Sequence, residues 1–470
     1  MKFKDFKSSN LNIELGDEQM YALIKIFEFI NDSNFGEFCL SGSAGTGKST
    51  LARIIIEYIE YIHKPYQLVA PTHKAKKILA SKTNREVYTI HQLLNLRPTL
   101  DILELSMDNL TFQSSEALNN MIPYNGIVLF DECSMINNTL YKVIHDDCKT
   151  KNCKLLFMGD IRQIEPVKQR SYALPFSVKN SYELSVVYRQ SNDNPILDLL
   201  SKLRKKPVYD YVDIISDEGN LITYTNWKKL LNDTKDLFKQ SIDNESPDDI
   251  KILAYTNKRV EAFNREVRKL IFDDPLEYNI GDIITGYDNF TYFDHKFTNS
   301  NDYQITSAIK STWDVYNRSY IGWYLSVHDF AEDCTKKLFV LSRDNKKEDL
   351  TYLAHKIEEY RIEAINAKGF KKKTLWIKYY NLCKSFATSF DLCLDNRIIK
   401  KKSIDYGYAI TTHKSQGSSY ENVVIDMSNI CNRCFNKVEL RQLQYVAISR
   451  TQKNVYMLID SNEKYTSNKR

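Results

Sequence analysis

The segment GSAGTGKS at residues 42–49 constrains this chain more than any other feature. The residues with the spacing of a phosphate-binding loop are Gly42, Gly47, Lys48 and Ser49. In such a loop the glycines let successive backbone N–H groups point at the phosphates, the lysine reaches the β- and γ-phosphates, and the hydroxyl ligates Mg²⁺. An apolar run precedes the loop and the helix-forming stretch LARIIIEYIEYI follows it. The segment therefore predicts binding of a nucleoside triphosphate with Mg²⁺, and a glycine turn that binds nothing is the less favoured alternative.

Composition limits the location and the partners of the chain. Its 470 residues are 43% hydrophobic, which suffices for roughly two to four packed domains. No run of eighteen or more apolar residues occurs, and the first ten residues lack the apolar segment of a signal peptide, so we expect a cytoplasmic protein, in the host cytoplasm if the source is viral. The nine cysteines have irregular spacing and indicate free thiols. The 65 basic and 60 acidic side chains leave a net charge of +5, which alone identifies no polyanionic partner.

Short apolar runs predict two parallel sheets. In the first half the runs lie at residues 38–40, 68–70, 127–130 and 155–158, and continuous apolar strands of this length are typical of a sheet buried on both faces. A helix is predicted before the first run, with Asp17 as its cap and one apolar face formed by Met20, Leu23, Ile24, Phe27 and Ile30. A second α/β set follows residue 184, with apolar runs in KILAYTN, ENVVID and NVYMLID. We therefore expect an α/β protein with a cleft between two similar sheets.

Two stretches interrupt the α/β pattern. Residues 92–125 are polar and irregular, and the alternation around DNLTFQ predicts a small hairpin. Residues 280–406 combine short β-like runs, such as GDIITGY and KKLFVLS, with a charged helical stretch. This second stretch indicates a small barrel that carries a helical arm.

Acidic and amide side chains follow two of the predicted strands. Asp131 and Glu132 come directly after the run at 127–130, at the strand end where α/β proteins place their ligand chemistry. Two adjacent carboxylates suit two tasks, in which Asp131 holds Mg²⁺ and Glu132 polarises the attacking water. Gln163, in the segment MGDIRQIEPV after the next strand, is placed to contact the γ-phosphate. The chain is thus predicted to hydrolyse the nucleotide that it binds.

The order of further motifs resembles superfamily 1 helicases, and within them the 5′-to-3′ branch of RecD-like and Dda-like enzymes. The resemblance covers nearly the whole chain. The segments that carry it are Gln19 ahead of the loop, APTHKAKKIL at 70–79, YTIHQLL at 88–94, DECSM at 131–135, GDIRQIEPV at 159–167, SVVYRQS at 185–191, AYTNKRVEAFN at 254–264, TTHKSQG at 411–417 and QYVAISR at 444–450. Departures are small: Cys133, Ser449 and Thr412 replace residues that are common in the family, and none of them removes a catalytic group.

The resemblance implies a set of site residues. The catalytic residues are Lys48, Asp131, Glu132, Gln163, Arg189 and Arg450, with Ser49 and Asp131 at Mg²⁺. The residues that bind ATP are Gln19, Gly42, Ser43, Ala44, Gly45, Thr46, Gly47, Lys48, Ser49, Thr50, Gln416 and Gly417. The residues that bind DNA are Pro71, Thr72, His73, Lys74, Thr89, His91, Phe112, Thr256, Asn257, Thr411, His413, Lys414 and Ser415. Most of the DNA donors are uncharged, which suits phosphate contacts that are independent of base sequence and are remade in every cycle, although any one of them also fits a turn or cap residue.

The resemblance also implies how the domains are arranged. Two RecA-like P-loop NTPase domains are expected, 1A over residues 1–91 and 126–183 and 2A over residues 184–279 and 407–470. The hairpin at 92–125 would form a pin, 1B, whose aromatic residue Phe112 stacks on a base. An SH3-like β-barrel, 2B, is expected at 280–406, with its helical arm at about 345–388. A buried Phe112 that only holds the hairpin together is the alternative.

The implied function is that of a monomeric, ATP-dependent DNA helicase that moves 5′ to 3′ on single-stranded DNA and unwinds duplex DNA in replication, recombination or repair. Its partners would be single-stranded and duplex DNA, with an ssDNA-binding protein or other replication proteins as further candidates, and no membrane. Two alternatives stay open at this point. One is an ssDNA translocase that displaces proteins or remodels strands without processive unwinding, and the other is a non-catalytic nucleic-acid-binding module with ATP as a structural ligand.

Overall fold

The computed structural model describes residues 15–43, 45–98, 112–114, 120–164, 173–186 and 195–459, with the backbone alone at 96–98, 112–114 and 195. Two parallel sheets and one mostly antiparallel sheet organise these residues. None of the described helices is both long enough and apolar enough to cross a membrane.

The first α/β unit is built on six parallel strands in the order β3-β2-β6-β7-β1-β8. Its elements, together with a short antiparallel pair β4 and β5, are α1 (Asp17–Asn31), β1 (Glu37–Gly42), α2 (Lys48–Tyr61), β2 (Tyr66–Ala70), α3 (His73–Thr83), β3 (Tyr88–Thr89), α4 (Ile90–Leu93), β4 (Leu96–Pro98), β5 (Phe112–Ser114), β6 (Ile127–Phe130), α5 (Asn138–Thr150), β7 (Lys154–Gly159) and β8 (Asn180–Leu184). The four predicted strands correspond to β1, β2, β6 and β7. The apolar residues of β6 and β7 are fully buried, as the continuous apolar runs require.

Helix α1 packs on this sheet with a face that includes Leu23, Phe27 and Ile30 of the predicted side but not Ile24. Its buried residues are Gln19, Ala22, Leu23, Ile26, Phe27 and Ile30, while Ile24 is 39% exposed and Met20 is half-buried. Asp17 lies in the first turn and Gly16 is the N-cap, so the prediction of Asp17 as the cap is wrong. Glycine has no side chain to cap the helix. The Gln19 side chain, three residues on, satisfies the N-cap backbone instead, because its Oε1 accepts a hydrogen bond from the Gly16 N–H at 3.1 Å.

The region between α4 and β6 is only partly an insertion. Leu93, Leu94 and Ile122 are buried in the core of the first unit together with Phe130 and Phe157. The predicted insertion of 92–125 is therefore too long at both ends, since Leu93, Leu94 and Ile122 belong to the first unit. Strands β4 and β5 pair antiparallel outside the large sheet.

A second α/β unit begins after β8 and is interrupted once. Its first part consists of α6 (Pro195–Leu203), β9 (Leu221–Tyr224), α7 (Trp227–Asp243), β10 (Ile250–Ala254) and α8 (Asn257–Ile271). The interruption contains β11 (Ile283–Gly286), β12 (Phe290–Tyr292), β13 (His295–Phe297), β14 (Asp302–Val315), β15 (Arg318–Asp329), β16 (Cys334–Leu341), α9 (Lys347–Asn366), α10 (Gly369–Lys384), β17 (Ala387–Thr388), β18 (Leu392–Leu394), β19 (Arg397–Lys400) and β20 (Ile404–Tyr406). The unit resumes with β21 (Ala409–Thr411), β22 (Tyr420–Asp426), α11 (Met427–Arg433), α12 (Lys437–Ser449) and β23 (Thr451–Leu458). Its five strands are parallel, in the order β21-β10-β22-β23-β9.

The inserted sheet has the order β17-β16-β15-β14-β11-β20 and is antiparallel except between β16 and β17. Helices α9 and α10 form the arm. Leu353 and Leu382 anchor the base of the arm in the core of the inserted sheet. Farther along, Ala364, Leu375 and Trp376 form a separate small cluster between the two helices.

A buried ion pair fastens the inserted sheet to the second parallel sheet. Lys251 on β10 and Asp302 on β14 are 1% and 8% exposed, and their Nζ and Oδ2 atoms lie 2.9 Å apart. Lys251 Nζ also donates to the Gly407 carbonyl oxygen at 2.6 Å, and Thr285 donates to the other oxygen of Asp302. Removing one partner would leave the other charge buried and uncompensated.

We predict that Asp302→Ala lowers the free energy of unfolding by about 3–5 kcal/mol, because it strands Lys251. Urea denaturation measures this loss. The matched control is Asp344→Ala, since Asp344 and Lys310 also lie 2.9 Å apart but are 61% and 51% exposed; the expected loss there is about 0–1 kcal/mol. Equal small losses in both variants would contradict a structural role for the buried pair.

Candidate nucleotide site and nucleic-acid interface

The predicted phosphate-binding loop connects the end of β1 to the start of α2. Gly45 and Gly47 have φ angles of 86° and 87°, in the left-handed region that favours glycine. A Cβ atom on Gly47 would also lie 2.2 Å from Gln19 Nε2. The glycines are thus required by the backbone and by the close approach of α1.

Hydrogen bonds inside the loop hold it in a cradle shape. Lys48 Nζ donates to the carbonyl oxygens of Gly42 and Ser43, and Thr46 Oγ1 donates to the Ser43 carbonyl oxygen at 2.9 Å. Gln19 Nε2 donates to the Thr46 carbonyl oxygen at 3.0 Å. The buried side chains of Gln19 and Thr46 and the carbonyl oxygen of Ser43 therefore hold the shape of the loop.

Asp131 and Glu132 follow β6, next to the loop. Burial, and after it the nearby Glu132 charge, raise the pKa of Asp131 to about 6 against the opposing effect of Lys48. Glu132 has a φ of 51°, which is uncommon for a residue with a side chain. A divalent cation would stabilise the charged form of Asp131, which burial and the adjacent Glu132 carboxylate disfavour.

A cavity of about 720 Å³ lies over the loop and has walls from both α/β units. The predicted site residues in its wall are Gln19, Gly45, Gly47, Lys48, Ser49, Thr50, Asp131, Glu132, Gln163, Gly417 and Arg450. Gly42, Ser43, Thr46 and Gln416 are buried outside the wall. The predicted residues Ala44 and Arg189 lie outside the described residues.

The cavity wall also contains residues that were not predicted as site residues. Ala75, Ile78 and Ser449 lie within the motif segments, and the others, Leu15, Arg53, Ser81, Lys82, Ser418 and Ser419, lie outside them. Lys82, at the end of α3, donates to Ser49 Oγ at 3.3 Å and lowers the pKa of Asp131. Only tertiary folding brings Lys82 to the loop, so no local pattern could have indicated it.

Side chains from the second unit close the other side of the cavity. Arg450 is 5% exposed and donates to Val446 O, to Ser418 O and to Ser449 Oγ at 3.0–3.2 Å. Gln416 Nε2 donates to the Ile164 carbonyl oxygen at 3.2 Å, across the two units. The structure therefore brings Arg450 to the same cavity as Lys48, although more than four hundred residues separate them in sequence.

These residues fit a nucleoside triphosphate with Mg²⁺. The glycine backbone leaves room where a Cβ would clash, Lys48 supplies an ammonium, and the Ser49 hydroxyl and Asp131 carboxylate are oxygen ligands of the kind that Mg²⁺ prefers. Gln163 stands beside them and accepts a hydrogen bond from Ser134 Oγ at 3.4 Å.

The predicted DNA donors follow neighbouring strands of each sheet. Strands β2 and β3 are adjacent in the first sheet, and β10 and β21 are adjacent in the second. Thr72, Thr89 and Thr256 are the N-caps of α3, α4 and α8, where each side chain accepts a backbone N–H. At Thr72 and Thr89 the cap uses the oxygen as an acceptor and leaves the hydroxyl proton available for a phosphate at a helix N-terminus. Thr256 Oγ1 instead donates to Asn429 Oδ1 at 3.4 Å.

Aromatic and imidazole groups stand beside these caps. Burial lowers the pKa values of His73, His91 and His413, which favours neutral imidazoles at neutral pH. His413 lies 5.9 Å from the ring of Tyr255, measured between centroids. The half-buried Pro71 follows β2 directly, and the exposed Asn257 is the first residue of α8, after β10.

Three predicted DNA contacts have other roles in this structure. Ser415 is fully buried and donates to the Thr412 carbonyl oxygen at 2.7 Å, so its direct contact with DNA is contradicted. Thr411 is 8% exposed and accepts the Lys414 N–H. Lys74 reaches across to the second unit, where it pairs with Asp248 at 3.2 Å. Its ammonium lies 4.8 Å from the ring centroid of Tyr420.

Lys414 occupies an unusual environment between the second unit and the inserted sheet. Its Nζ lies 3.2 Å from the ring centroid of Tyr287 and has no hydrogen-bond partner among the residues that the structure describes. Burial, and after it the nearby Lys402 charge, lower the pKa of Lys414 to about 8, while Asp405 and Asp288 act in the opposite direction. Lys402 also faces the Tyr287 ring, at 4.2 Å.

The predicted pin is described only at its base. Phe112 begins β5 and its backbone pairs with Pro98 of β4. The side chain of Phe112 and residues 99–111 lie outside the described residues.

Comparison with known proteins finds family matches in both α/β units. Residues 29–169 match the AAA domain family, and residues 406–458 match the UvrD-like helicase C-terminal domain. The chain is 27% identical over 453 residues to the ATP-dependent DNA helicase dda of Enterobacteria phage T4, with 89% of this chain and 93% of that protein covered. It is 24% identical over 462 residues to the RecBCD enzyme subunit RecD of Buchnera aphidicola subsp. Schizaphis graminum, with 88% and 69% covered.

A solved structure agrees with these matches in fold. The Pif1 helicase from Bacteroides, in complex with ADP-AlF3 and ssDNA, aligns with a TM-score of 0.50 over 94% of this chain and 92% of that chain, at 17% identity. The two parallel sheets are accordingly two RecA-like domains. The matches in both α/β units and along nearly the whole length of the phage helicase support an ATP-dependent DNA helicase similar to the superfamily 1 enzymes of the Dda and RecD type.

Proposed function

We propose that this helicase is an ATP-driven motor that moves 5′ to 3′ on single-stranded DNA and separates the duplex ahead of it. One observation carries the proposal: the nucleotide cavity has walls from both RecA-like domains, and the predicted DNA donors follow strands of the same two sheets. A change at the cavity therefore changes the distance between the two groups of donors. The direction of movement rests on the family resemblance alone.

Each residue at the cavity has a proposed task. Bound Mg²⁺ would supply charge neutralisation at the β- and γ-phosphates. Lys48 binds the phosphates, Ser49 and Asp131 hold the metal, and Glu132 accepts a proton from the attacking water. Gln163 contacts the γ-phosphate.

The second domain contributes the cationic side of the site. Arg450, together with Arg189, is proposed to stabilise the negative charge that spreads over the γ-phosphate during transfer. Gln416 and Gly417 connect this side to the first domain. Because the charges being neutralised lie between two domains, hydrolysis and release of phosphate would weaken the force that holds the domains together.

We propose domain limits that follow the structure. The first RecA-like domain ends with β8, since β8 pairs with β1, and the second begins with α6, since Ile196 and Leu203 are buried in the second core. The β4–β5 pair is the base of a pin that carries Phe112. The inserted sheet corresponds to an SH3-like barrel with the α9–α10 arm.

Two other functions remain testable against this one. A translocase that displaces proteins or remodels strands would use the same motor without a working pin. A non-catalytic nucleic-acid-binding module would retain the loop but not Glu132 in a useful position, whereas Glu132 lines the cavity beside Lys48. The arrangement favours the motor over the module. Its use in replication, recombination or repair and its action as a monomer, alone or with an ssDNA-binding protein, are further proposals that follow the family.

We predict that Glu132→Gln lowers ATP turnover by about 10²–10⁴-fold while retaining ATP binding, because it removes the base but keeps the size of the side chain. Lys48→Ala should lose turnover together with nucleotide affinity. Turnover is measured with and without single-stranded DNA, and ATP binding by equilibrium titration. Glu28→Gln, on the exposed side of α1, is the matched control and should behave as wild type. Normal turnover of Glu132→Gln would contradict the assigned base, and wild-type turnover that DNA does not stimulate would favour the structural-ligand module.

We predict that single-stranded DNA binding weakens between pH 7 and pH 9.5, because Lys414, with a pKa of about 8, is mostly charged at the lower pH and mostly neutral at the higher. Loss of one phosphate contact should reduce the slope of log affinity against log salt by about 0.7. Salt titrations at both pH values measure this change. Lys414→Arg keeps its charge throughout and should show the same slope at both pH values. A wild-type slope that does not change with pH would contradict a phosphate contact at Lys414.

We predict that the wild-type protein unwinds a duplex with a 5′ single-stranded tail and not one with a 3′ tail, because the chain loads on the tail and moves in one direction. The direction is measured as the rate of strand separation of labelled duplexes with a 5′ tail and with a 3′ tail. Unwinding from 3′ tails would contradict the proposed direction.

The same assay separates the helicase from the translocase. Phe112→Ala should slow strand separation while DNA-stimulated ATP turnover continues, since stacking of an aromatic side chain on a base contributes about 1–3 kcal/mol. Strand separation at the wild-type rate in Phe112→Ala would exclude Phe112 as the pin residue.

A further inference from the structure

Arg204 follows α6 in the second RecA-like domain and contacts the phosphate-binding loop of the first. Its Nη2 atom donates a hydrogen bond to Ser43 Oγ. Ser43 is 2% exposed and is the second residue of the loop. Arg204 belongs to none of the motifs that define the family resemblance.

Ser43 is the residue through which the loop is internally tied. Its carbonyl oxygen accepts hydrogen bonds from Thr46 Oγ1 at 2.9 Å and from Lys48 Nζ at 3.0 Å. A force on the Ser43 side chain therefore acts on the lysine that binds phosphate. Arg204, from the second domain, can exert such a force because it contacts the Ser43 side chain directly.

The other end of Arg204 is fixed within the second domain. Helix α6 is held in the second core by Ile196 and Leu203. The Arg204 carbonyl oxygen accepts a hydrogen bond from Arg441 Nη1 at 3.4 Å, and Arg441 lies on α12, the helix that ends next to Arg450. The contact to Ser43 thus connects the loop to the two helices that position the second domain's cationic side.

The guanidinium of Arg204 also retains donor capacity. Its Nε is buried and has no hydrogen-bond partner among the described parts of the chain. Its bond to Ser43 Oγ has a charged donor, and such hydrogen bonds are about twice as strong as those between two neutral groups. Phosphate that draws Lys48 Nζ away from the Ser43 carbonyl oxygen would change the position of Ser43, and the Arg204 contact would transmit that change to α6.

We propose that Arg204 is a positioning residue that couples the phosphate-binding loop to the second RecA-like domain, so that nucleotide binding changes the affinity for single-stranded DNA. The proposal rests on the motor function proposed above. The coupling is the factor by which nucleotide changes DNA affinity, and factors of about 5–150 are typical of coupled sites.

The test measures the affinity for a labelled oligodeoxythymidylate with and without a non-hydrolysable ATP analogue and Mg²⁺. Arg204→Ala is expected to reduce the coupling factor by about fivefold or more. If the wild-type factor is about 5, the variant should therefore show a factor near one. The matched control is Lys205→Ala, which removes an exposed positive charge from the next position and should retain the wild-type factor. Thermal unfolding of each variant verifies that it is folded, and Arg204→Lys provides a second variant that keeps the charge but not the fork of donors.

A double-mutant cycle with Ser43→Ala identifies the partner of Arg204. If the two side chains act through their mutual contact, the double variant should have the same coupling factor as Arg204→Ala alone. A wild-type coupling factor in a folded Arg204→Ala variant, or effects of the two changes that multiply, would overturn the proposal for Arg204 and leave the motor intact. A wild-type protein whose DNA affinity does not respond to nucleotide would overturn the motor function, and the Arg204 proposal with it.

Discussion

A nucleoside triphosphate concentrates several negative charges in one place, and this chain holds the cations that face it on two separate sheets. Lys48 and Lys82 belong to the first RecA-like domain, and Arg450 belongs to the second. Because attraction between charges grows when water is removed from between them, phosphates in this cavity stabilise the arrangement in which the domains stand close together. A nucleotide bound as proposed would thus act on the distance between the two domains and, through it, on every other contact across the cleft.

Because each parallel sheet is a rigid layer, a change in the distance between the two sheets also moves the loops at their strand ends. All strands of one parallel sheet end at the same edge, so the loops that hold the nucleotide and the loops that carry the predicted DNA donors lie on one rigid layer. In the first domain the nucleotide residues follow β1, β6 and β7, while the donors follow β2 and β3. The inserted sheet moves with the second domain, because the Lys251–Asp302 pair fastens the two sheets together.

Sequence patterns predicted the parts of this fold that depend on local burial. The strands β1, β2, β6 and β7 were recognisable because their residues are apolar without interruption, as burial on both faces requires. Strand β8, NSYEL, was not recognisable, since it lies at the sheet edge and most of its side chains are exposed. The glycines, Lys48 and the Asp131–Glu132 pair were found because backbone chemistry fixes their spacing. Lys82 and Arg204 were not, because each reaches the loop only through tertiary packing.

The threonine donors show why one residue can satisfy both the fold and the ligand. Thr72, Thr89 and Thr256 each begin a helix by accepting a backbone N–H. Thr256 donates its own hydroxyl proton to Asn429 Oδ1 at 3.4 Å, whereas the hydroxyls of Thr72 and Thr89 still have a proton to donate. The cap fixes the position of the hydroxyl relative to the helix. The charged end of a lysine or arginine is less fixed, because its long side chain is flexible. A neutral donor held in place binds a phosphate more weakly than a cation does, and the difference favours release. A motor must release DNA as often as it binds it, and capped threonines meet that requirement without any addition to the helices that the fold already needs.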